Sequence, residues 1–270
     1  MDDTAFIESR IKDLANKAYQ NDYVTHTDFL SVSDQAGLHD AMARLGVPRN
    51  SCRYNGTEFV LWGGYDEAER KICAFLPSWL GGESFLSQET NAPEVVSCLH
   101  ISPVQAKFAD KLTHRDYLGA LMNLGIERGQ VGDILIDNAD SSAYCFILKG
   151  MAYYICKELC RVKHTTVLAK EVPPTECLVR PEFEEREGSV ASERLDAVLA
   201  FVYRLARGKA QELIEREAVI VSGRTAVSGG YALKQGDRVS VRGFGKFIYE
   251  GAVSQTKKGR LYVRVRVYKS

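Results

Sequence analysis

The stretch RLDAVLAFVYRLARGKAQELIEREAVIVSG, residues 194–223, predicts two short helices followed by a strand. Apolar residues of the first helix recur at i, i+3, i+4 and i+7, which is the spacing of one helical face. They are Leu195, Val198, Leu199 and Val202, and Ala210, Leu213 and Ile214 form the second apolar face. Both faces can be buried against the strands AVIVSG (218–223) and DRVSVRG (237–243). Ser192 is the predicted cap of the first helix.

The positive charge of the chain is concentrated in its last third. The whole chain has 35 Lys and Arg and 35 Asp and Glu, so its formal net charge is zero. Residues 189–270 hold 16 basic and 7 acidic residues, a balance of +9, and residues 1–188 carry a balance of −9. In the two predicted helices the basic residues fall off the apolar faces, on the solvent side. This asymmetry predicts a polyanion as the partner of the carboxy-terminal part.

The tail GRLYVRVRVYKS, residues 259–270, alternates strictly between apolar and polar positions, which predicts a strand with one buried face. Its polar face holds Arg260, Tyr262, Arg264, Arg266 and Tyr268. Basic side chains interleaved with tyrosines suit phosphate contact and base stacking. GKFIYEGAVS (245–254) is the expected partner strand, with TKKG (256–259) as the turn. Because this face contains no acid, we expect it to contact RNA; the alternative is an ordinary sheet with one solvated face.

Residues 94–180 are predicted to form a ferredoxin-like domain, of the kind that RNA-recognition motifs also use. Strand and helix patterns follow one another in the order β-α-β-β-α-β between residues 95 and 172. Thr113 and Asp116 form a capping-box pattern at the start of the first helix. Tyr144 and Phe146 share one face of the third strand and could stack on RNA bases, although two such aromatic residues are more often part of a core.

The predicted fold class is α+β, with three domains. Residues 1–93 contain the helical patterns TAFIESRIKDLANKAYQ (4–20) and SDQAGLHDAMARLG (33–46) and two strand-like runs, which indicates a small α/β domain. The stretch VPPTECLVRPEFEEREGSVAS (172–192) combines prolines, an acidic run and a Gly-Ser step, which is typical of a linker or a domain boundary. The third domain is placed at residues 189–270.

The cysteines and the hydropathy pattern favour a cytoplasmic protein without a metal or a cofactor. The seven cysteines are odd in number and form no CxxC pair, so they predict free thiols in a reducing compartment. Cys156 and Cys160 are one helical turn apart, but no nearby residues complete a zinc site. No apolar run approaches the roughly 20 residues of a membrane span.

Two tripeptides resemble catalytic motifs and fail the wider pattern. HRD at 114–116 is similar to the catalytic loop of protein kinases, but Leu121 stands where that loop needs a metal-binding Asn. RLD at 194–196 is similar to the tripeptide that holds the catalytic aspartate of pseudouridine synthases. The chain after Asp196 is too short for the sheet scaffold of those enzymes and has the pattern of a complete small domain.

Residues 194–243 resemble the S-four RNA-binding domain, which is named after the fourth small-subunit ribosomal protein. The matching elements are RLDAVLA, ARGKAQELI, VIVSG and YALKQGDRVSVRG, in that order. Ala206 stands where the family usually has a helix-capping Ser, which loses about 1 kcal/mol of cap stabilisation. Ser222 replaces the usual Asn of a VNG strand; it can still form a hydrogen bond.

With THRDYLGALMNLGIERGQVGDILID (113–137) and SVRGFGKF (240–247), the chain resembles the YlmH family of bacterial cytoplasmic proteins. This resemblance implies association with the ribosome, binding of large-subunit ribosomal RNA and transfer RNA, and a role in rescuing stalled large subunits that carry nascent chains. It also implies a link to cell division, since family members are encoded beside division genes.

The predicted RNA contacts lie in the carboxy-terminal domain. Arginine matches phosphate oxygens in two-point contacts and lysine supplies point charge. Asp196 is expected either to orient Arg194 or to cap the local turn. The predicted site residues are Arg194, Asp196, Arg204, Arg207, Lys209, Gln211, Arg216, Ser222, Arg224, Arg242, Lys246, Arg264 and Arg266.

The sequence therefore predicts a non-catalytic protein that binds structured RNA and the large ribosomal subunit. Two alternatives stay open. The first is an RNA-modifying enzyme, similar to pseudouridine synthases, that uses the basic domain as a guide. The second is a protein-interaction factor in cell division, with a basic face for an acidic partner.

Overall fold

Helices and antiparallel sheets make up the computed structural model, which describes residues 3–48, 50–88, 93–105, 107, 109–255 and 259–269. The α+β fold class is confirmed. The chain divides into two compact units, Met1–Arg180 (unit 1) and Pro181–Ser270 (unit 2). None of the helices in the described ranges is long and apolar enough to cross a membrane.

The first half of unit 1 combines two long helices with a small sheet. Its elements are α1 (Asp3–Asn21), β1 (Thr25–His26), α2 (Val32–Arg44), β2 (Arg53–Tyr54), β3 (Thr57–Trp62), β4 (Ile72–Leu76) and α3 (Gly82–Leu86). The strands are ordered β1-β4-β3-β2. Both predicted helices and both predicted strands are present.

The second half of unit 1 contains the predicted succession of strands and helices. Its elements are β5 (Val96–Pro103), α4 (His114–Asn123), β6 (Val131–Asp137), β7 (Ser142–Leu148), α5 (Lys149–Glu158), β8 (Arg161–Val162) and β9 (Thr165–Val172). The sheet has the order β6-β7-β5-β9-β8, and β8 is a short strand that the sequence pattern did not predict. The capping box is confirmed: Thr113 donates from its backbone N and from Oγ1 to the Asp116 carboxylate, at 2.8 and 2.7 Å.

The two faces of this sheet are buried in different ways. On one face, Tyr117, Leu121 and Ile155 of the helices pack against the strands. On the other face, Cys98 and Phe146 share a core with residues of the first half of unit 1. The rings of Phe146 and Tyr65 lie 4.9 Å apart. Gly64, with a φ of 97°, lies so close that a Cβ would overlap the Phe146 ring. Phe146 is therefore a core residue, and Tyr144 beside it is half-buried.

The carboxylate of Asp133 ties the two halves of unit 1 together. It accepts hydrogen bonds from Tyr65 Oη at 2.9 Å, from the backbone N of Glu69 at 2.7 Å and from that of Arg70 at 3.1 Å. Burial, reinforced by the neighbouring charge of Asp133, raises the pKa of Tyr65. The boundary predicted at residues 93/94 stays a prediction, but residues on both sides of it build one core.

Unit 2 places a helix pair on a six-stranded sheet. Its elements are β10 (Phe183–Val190), α6 (Leu195–Val202), α7 (Arg207–Glu215), β11 (Val219–Val221), β12 (Arg224–Thr225), β13 (Arg238–Val241), β14 (Gly245–Gln255) and β15 (Leu261–Tyr268). The strand order is β10-β15-β14-β13-β11-β12. The predicted apolar faces of both helices pack in the core, together with Val263, Val265 and Val267 of the tail. The predicted turn at 256–259 lies mostly outside the described residues.

Two expectations about this region are wrong. The stretch 172–192 contains the boundary between the two units, at Arg180 and Pro181, but it is no linker. Cys177 is buried in the core of unit 1, and residues 183–190 form β10, which pairs with β15 along its whole length. The hydrogen-bonding pattern of a strand outweighs the acidic composition here because every second residue of β10 can stay in solvent. Ser192 does not cap α6, since the position before its first helical residue is Arg194.

The carboxy-terminal part is less positively charged than predicted, because unit 2 begins at Pro181 and includes the acidic strand β10. Residues 181–270 hold 17 Lys and Arg against 11 Asp and Glu, so unit 2 carries a net charge of +6. Unit 1 carries the matching −6. The charge difference between the two parts of the chain is thus smaller than predicted, but the carboxy-terminal part is still the positive one.

Candidate nucleic-acid interface

The start of α6 and the start of α7 bring two arginines to one carboxylate. Asp196 accepts hydrogen bonds from Arg194 Nε and Nη2 at 3.2 and 3.3 Å, and from Arg207 Nη2 at 3.2 and 3.0 Å. The side chain of Asp196 is 9% exposed, whereas those of Arg194 and Arg207 are 49% and 53% exposed. We call these three residues the two-arginine cluster. Its buried carboxylate fixes two guanidinium groups that still face solvent.

The loop between β12 and β13 packs beside this cluster. Leu195 N donates to Tyr231 O at 2.8 Å, and Asp196 N donates to Gly229 O at 3.2 Å. Gly229 is buried, and a Cβ there would lie 3.1 Å from Asp196 Cβ and would overlap the end of the Gln211 side chain. The close approach of this loop therefore favours glycine, since a larger residue would have to displace the Gln211 side chain. It places Gln211 next to the two arginines.

Replacing Asp196 by alanine is expected to weaken RNA binding even though it removes a negative charge. Without the carboxylate, Arg194 and Arg207 regain rotamer freedom that binding must then restrict. The loss of these half-exposed ion pairs should also lower the free energy of unfolding by about 1 kcal/mol. Affinity for ribosomal RNA fragments, measured by fluorescence anisotropy, tests this. Asp13→Ala on α1 is the control, because it removes an exposed acid from the other unit. Tighter binding by both variants would contradict an orienting role for Asp196.

The other predicted residues of α7 form a separate ion-pair group. Lys209 Nζ and Arg216 Nη2 lie 2.9 and 2.5 Å from the Glu212 carboxylate. The hydrogen bond from Lys209, together with the charge of Arg216, lowers the pKa of Glu212. Both cations remain about half or more exposed, so their heads stay accessible to a ligand. Gln211 also donates to Glu215, at 3.0 Å.

Ser222 lies on the turn between β11 and β12, and Arg224 is the first residue of β12. Ser222 has a φ of 45° and donates from Oγ to Asp237 at 2.8 Å. The same carboxylate accepts hydrogen bonds from Tyr231 Oη and Lys234 N, at 3.3 and 2.9 Å. The hydroxyl of Ser222 thus organises the turn, and Arg224 next to it is exposed.

The expected acid-free face of the tail does carry acids, which come from the neighbouring strands. Arg264 donates from Nε to Glu187 of β10 at 2.6 Å, and Arg266 donates from Nε to Glu250 of β14 at 2.7 Å. The hydrogen bond to Glu187 raises the pKa of Arg264. The guanidinium of Arg266 also lies 4.7 Å from the centre of the Phe183 ring. The prediction that this face lacks acid is wrong, because β15 pairs with β10 on one side and with β14 on the other, and both strands bring acids to it.

The remaining predicted cations are exposed at other places in unit 2. Lys246 lies 5.9 Å from the centre of the Tyr268 ring, and Arg242 follows β13. Arg204 follows α6 with a φ of 51° and contributes charge near Glu184. The structure therefore brings Arg194, Asp196, Arg207 and Gln211 together. The other predicted residues lie elsewhere on α7 and at its end, after α6, near the β11–β12 turn, and on or next to the sheet.

Residues 96–176 match the family model described as "Putative RNA-binding domain in YlmH". A protein of Bacillus subtilis (strain 168), named ribosome-associated protein quality control protein P2, is 27% identical over 265 residues, which cover 96% of this chain and 93% of that protein. The resemblance of this chain to the YlmH family is confirmed. A solved structure described as cell division protein YlmH from Streptococcus pneumoniae has a TM-score of 0.46 and 21% identity, and the match covers 66% of this chain and 95% of that chain.

The part that matches the YlmH model lies in unit 1, while the two-arginine cluster lies in unit 2. Sequence reasoning found the cations of the cluster from their position off the apolar faces. It missed the loop around Gly229, although the dipeptide Gly229-Gly230 is a signal for a close backbone approach. It also missed Glu187 and Glu250 as partners, because cross-strand neighbours cannot be read from one strand.

Proposed function

We propose that unit 2 binds structured RNA through its phosphate backbone, without catalysing a reaction, in a protein that acts with the ribosome in the quality control of stalled nascent chains. The observation that carries this proposal is the two-arginine cluster. Two guanidinium groups on a shared carboxylate form a preformed, rigid pair of forks that match phosphate oxygens. The net charge of +6 on unit 2 adds a general attraction for a polyanion.

The assignment of unit 2 to the S-four type rests on its helix pair and strands. The order helix, helix, strand and the later strand β13 agrees with the resemblance of residues 194–243, and β14 and β15 extend the sheet as a hairpin. For residues 94–180 we infer a ferredoxin-like domain, supported by the order β6-β7-β5-β9 with antiparallel neighbours. Residues 1–93 are assigned as a separate folding domain that has docked on that sheet.

The ribosomal partner is inferred from the comparisons. The relative from Bacillus subtilis is named as ribosome-associated and as a quality-control protein, and the family model is described as RNA-binding. We infer that this protein binds large-subunit ribosomal RNA and transfer RNA on large subunits that carry nascent chains, in the bacterial cytoplasm. RNA folded in this way is recognised largely by shape and backbone.

Within unit 2 we assign the strongest contacts to Arg194 and Arg207. Lys209, Gln211 and Arg216 extend the surface along α7. The outer contacts are Arg204, Ser222, Arg224, Arg242, Lys246, Arg264 and Arg266; of these, Arg264 and Arg266 have to exchange a carboxylate partner for phosphate. Asp196 acts as a positioning residue, and its engagement by two guanidinium groups disfavours the role of catalytic aspartate.

Affinity for ribosomal RNA is expected to fall steeply as salt is raised. If about six phosphates are neutralised, the plot of log K against log salt concentration should have a slope near −5, because counterions are released. Titration of the full-length protein with RNA fragments from large subunits, at several salt concentrations, measures this slope. An affinity that barely changes between low and moderate salt would refute binding through the phosphate backbone of the RNA.

A further inference from the structure

A groove on the helix side of the second sheet of unit 1 collects basic side chains. One wall is the outer stripe of α4, which includes Arg115, Gly119 and Asn123. The other wall runs from the end of α5 to β8 and includes Glu158, Arg161 and Lys163. The groove has a volume of about 450 Å³. The rest of unit 1 has a net negative charge, which makes this grouping of cations distinct.

The floor of the groove is open because α4 turns small residues toward it. A Cβ at Gly119 would have no atom within 4 Å, and Ala120 follows it in the lining. The inner stripe of the same helix, Tyr117 and Leu121, is fully buried in the core. The helix therefore cannot rotate without exposing that core, and the outer stripe is held in place.

The lysine of the groove is held in position by the helix cap. Lys163 Nζ lies 3.0 Å from Asp116 Oδ2, and the same carboxylate accepts the capping hydrogen bonds from Thr113. The hydrogen bonds from Thr113 and Lys163 lower the pKa of Asp116 to about 2, so the carboxylate that faces Lys163 is ionised at any ordinary pH. Arg115 and Arg161 are exposed on opposite walls.

The sheet face that RNA-recognition domains normally offer to bases is largely occupied in unit 1. Cys98 and Phe146 of that face are fully buried under the first half of the unit. Farther along the same face, β6 contributes Asp137 opposite Ser142. Much of that face is therefore occupied, whereas the groove on the helix side holds three cations, Arg115, Arg161 and Lys163, against two acids, Asp116 and Glu158.

We propose that this groove binds the phosphate backbone of an RNA strand, with Arg115 and Arg161 as the contacting forks and Lys163 as a fixed point charge. Small residues on the floor let the strand approach the helix closely, and arginine forks fit phosphate in two-point contacts. The proposal shares its partner class with the proposed function of unit 2, but it rests on other residues, in the other unit. Under this proposal, the part that matches the YlmH RNA-binding model binds RNA on its helix side and not on its sheet face.

The test compares two double variants of the full-length protein that remove the same charge. Arg115→Ala with Arg161→Ala should make the slope of log K against log salt concentration less negative by about 1.4–1.8. Each phosphate contact contributes about 0.7–0.9 to the magnitude of that slope. Lys12→Ala with Lys17→Ala, on exposed positions of α1, should leave it unchanged. The probe is ribosomal RNA from purified large subunits, cut into fragments. Glu158→Gln, which removes the groove acid that does not hold Lys163, should raise affinity by about two- to fivefold.

Equal binding by the arginine variant and the α1 variant would overturn the groove as an RNA site. A loss of co-sedimentation with ribosomes without a loss of RNA affinity would also overturn it and would indicate a protein contact. A separate variant, Arg194→Ala with Arg207→Ala, tests the proposed RNA site of unit 2. If only that variant loses affinity, the groove proposal fails and the proposed function stands; if only the groove variant loses affinity, the reverse holds.

Discussion

Removal of both arginines of the two-arginine cluster is expected to weaken RNA binding by roughly 30- to 1,000-fold. In Arg194→Ala with Arg207→Ala, two charge-assisted phosphate contacts of about 1–2 kcal/mol each are lost. Asp196, with its side chain only 9% exposed, is then left without the cations that offset its charge, which adds repulsion toward phosphate. Fluorescence anisotropy with labelled large-subunit RNA fragments measures the change in the dissociation constant.

Two further variants distinguish the loss of an RNA contact from unfolding and from a general loss of charge. Adding Asp196→Asn to the double variant removes the stranded carboxylate, so the unfolding temperature should recover while the affinity stays low. Lys12→Ala with Lys17→Ala removes the same charge from α1 of unit 1 and should change the affinity little. A double arginine variant that binds RNA as tightly as this control would show that the site lies elsewhere.

Phe146→Ala is expected to lower the free energy of unfolding of unit 1 by about 3–5 kcal/mol, since it removes a fully buried ring from a core. For a unit of 180 residues this corresponds to a fall of about 6–20 °C in the unfolding temperature. Because Phe146 packs on Tyr65 and next to Gly64, the loss should reach both halves of the unit. Amide hydrogen exchange should increase in β3 and β4 as well as in β5 and β7.

Tyr153→Ala on α5 provides the control for this prediction. Its side chain is 79% exposed, so the free energy of unfolding should change by no more than about 0.5 kcal/mol. If faster exchange in Phe146→Ala were confined to residues 94–180, the shared core would not be a cooperative unit. The boundary predicted at residues 93/94 would then describe two domains that unfold independently.

Local patterns predicted most of the helices and strands. The 3.6-residue spacing of Leu195, Val198 and Val202 decides which face of α6 is buried, and strict alternation does the same for β15. The capping box at Thr113 and Asp116 is also a local signal, because donor and acceptor are three residues apart. Such features depend on neighbours within one turn or one strand, so they can be read from sequence.

The features that the sequence did not reveal depend on residues distant along the chain. β10 has the composition of a linker, and only its pairing with β15 makes it a strand. That pairing brings Glu187 to Arg264, which changes the charge of the predicted RNA face. The contact of Phe146 with Tyr65 likewise joins residues from separate predicted domains. For the candidate site, the cations could be predicted, but their shared anchor at Asp196 required the fold.

Ultraviolet crosslinking of the full-length protein to large-subunit RNA, followed by mass spectrometry of the crosslinked peptides, tests the central claim most directly. The account predicts crosslinks on peptides that contain residues 194–211, and their loss in Arg194→Ala with Arg207→Ala. Crosslinks confined to residues 1–180, with none on unit 2, would contradict it.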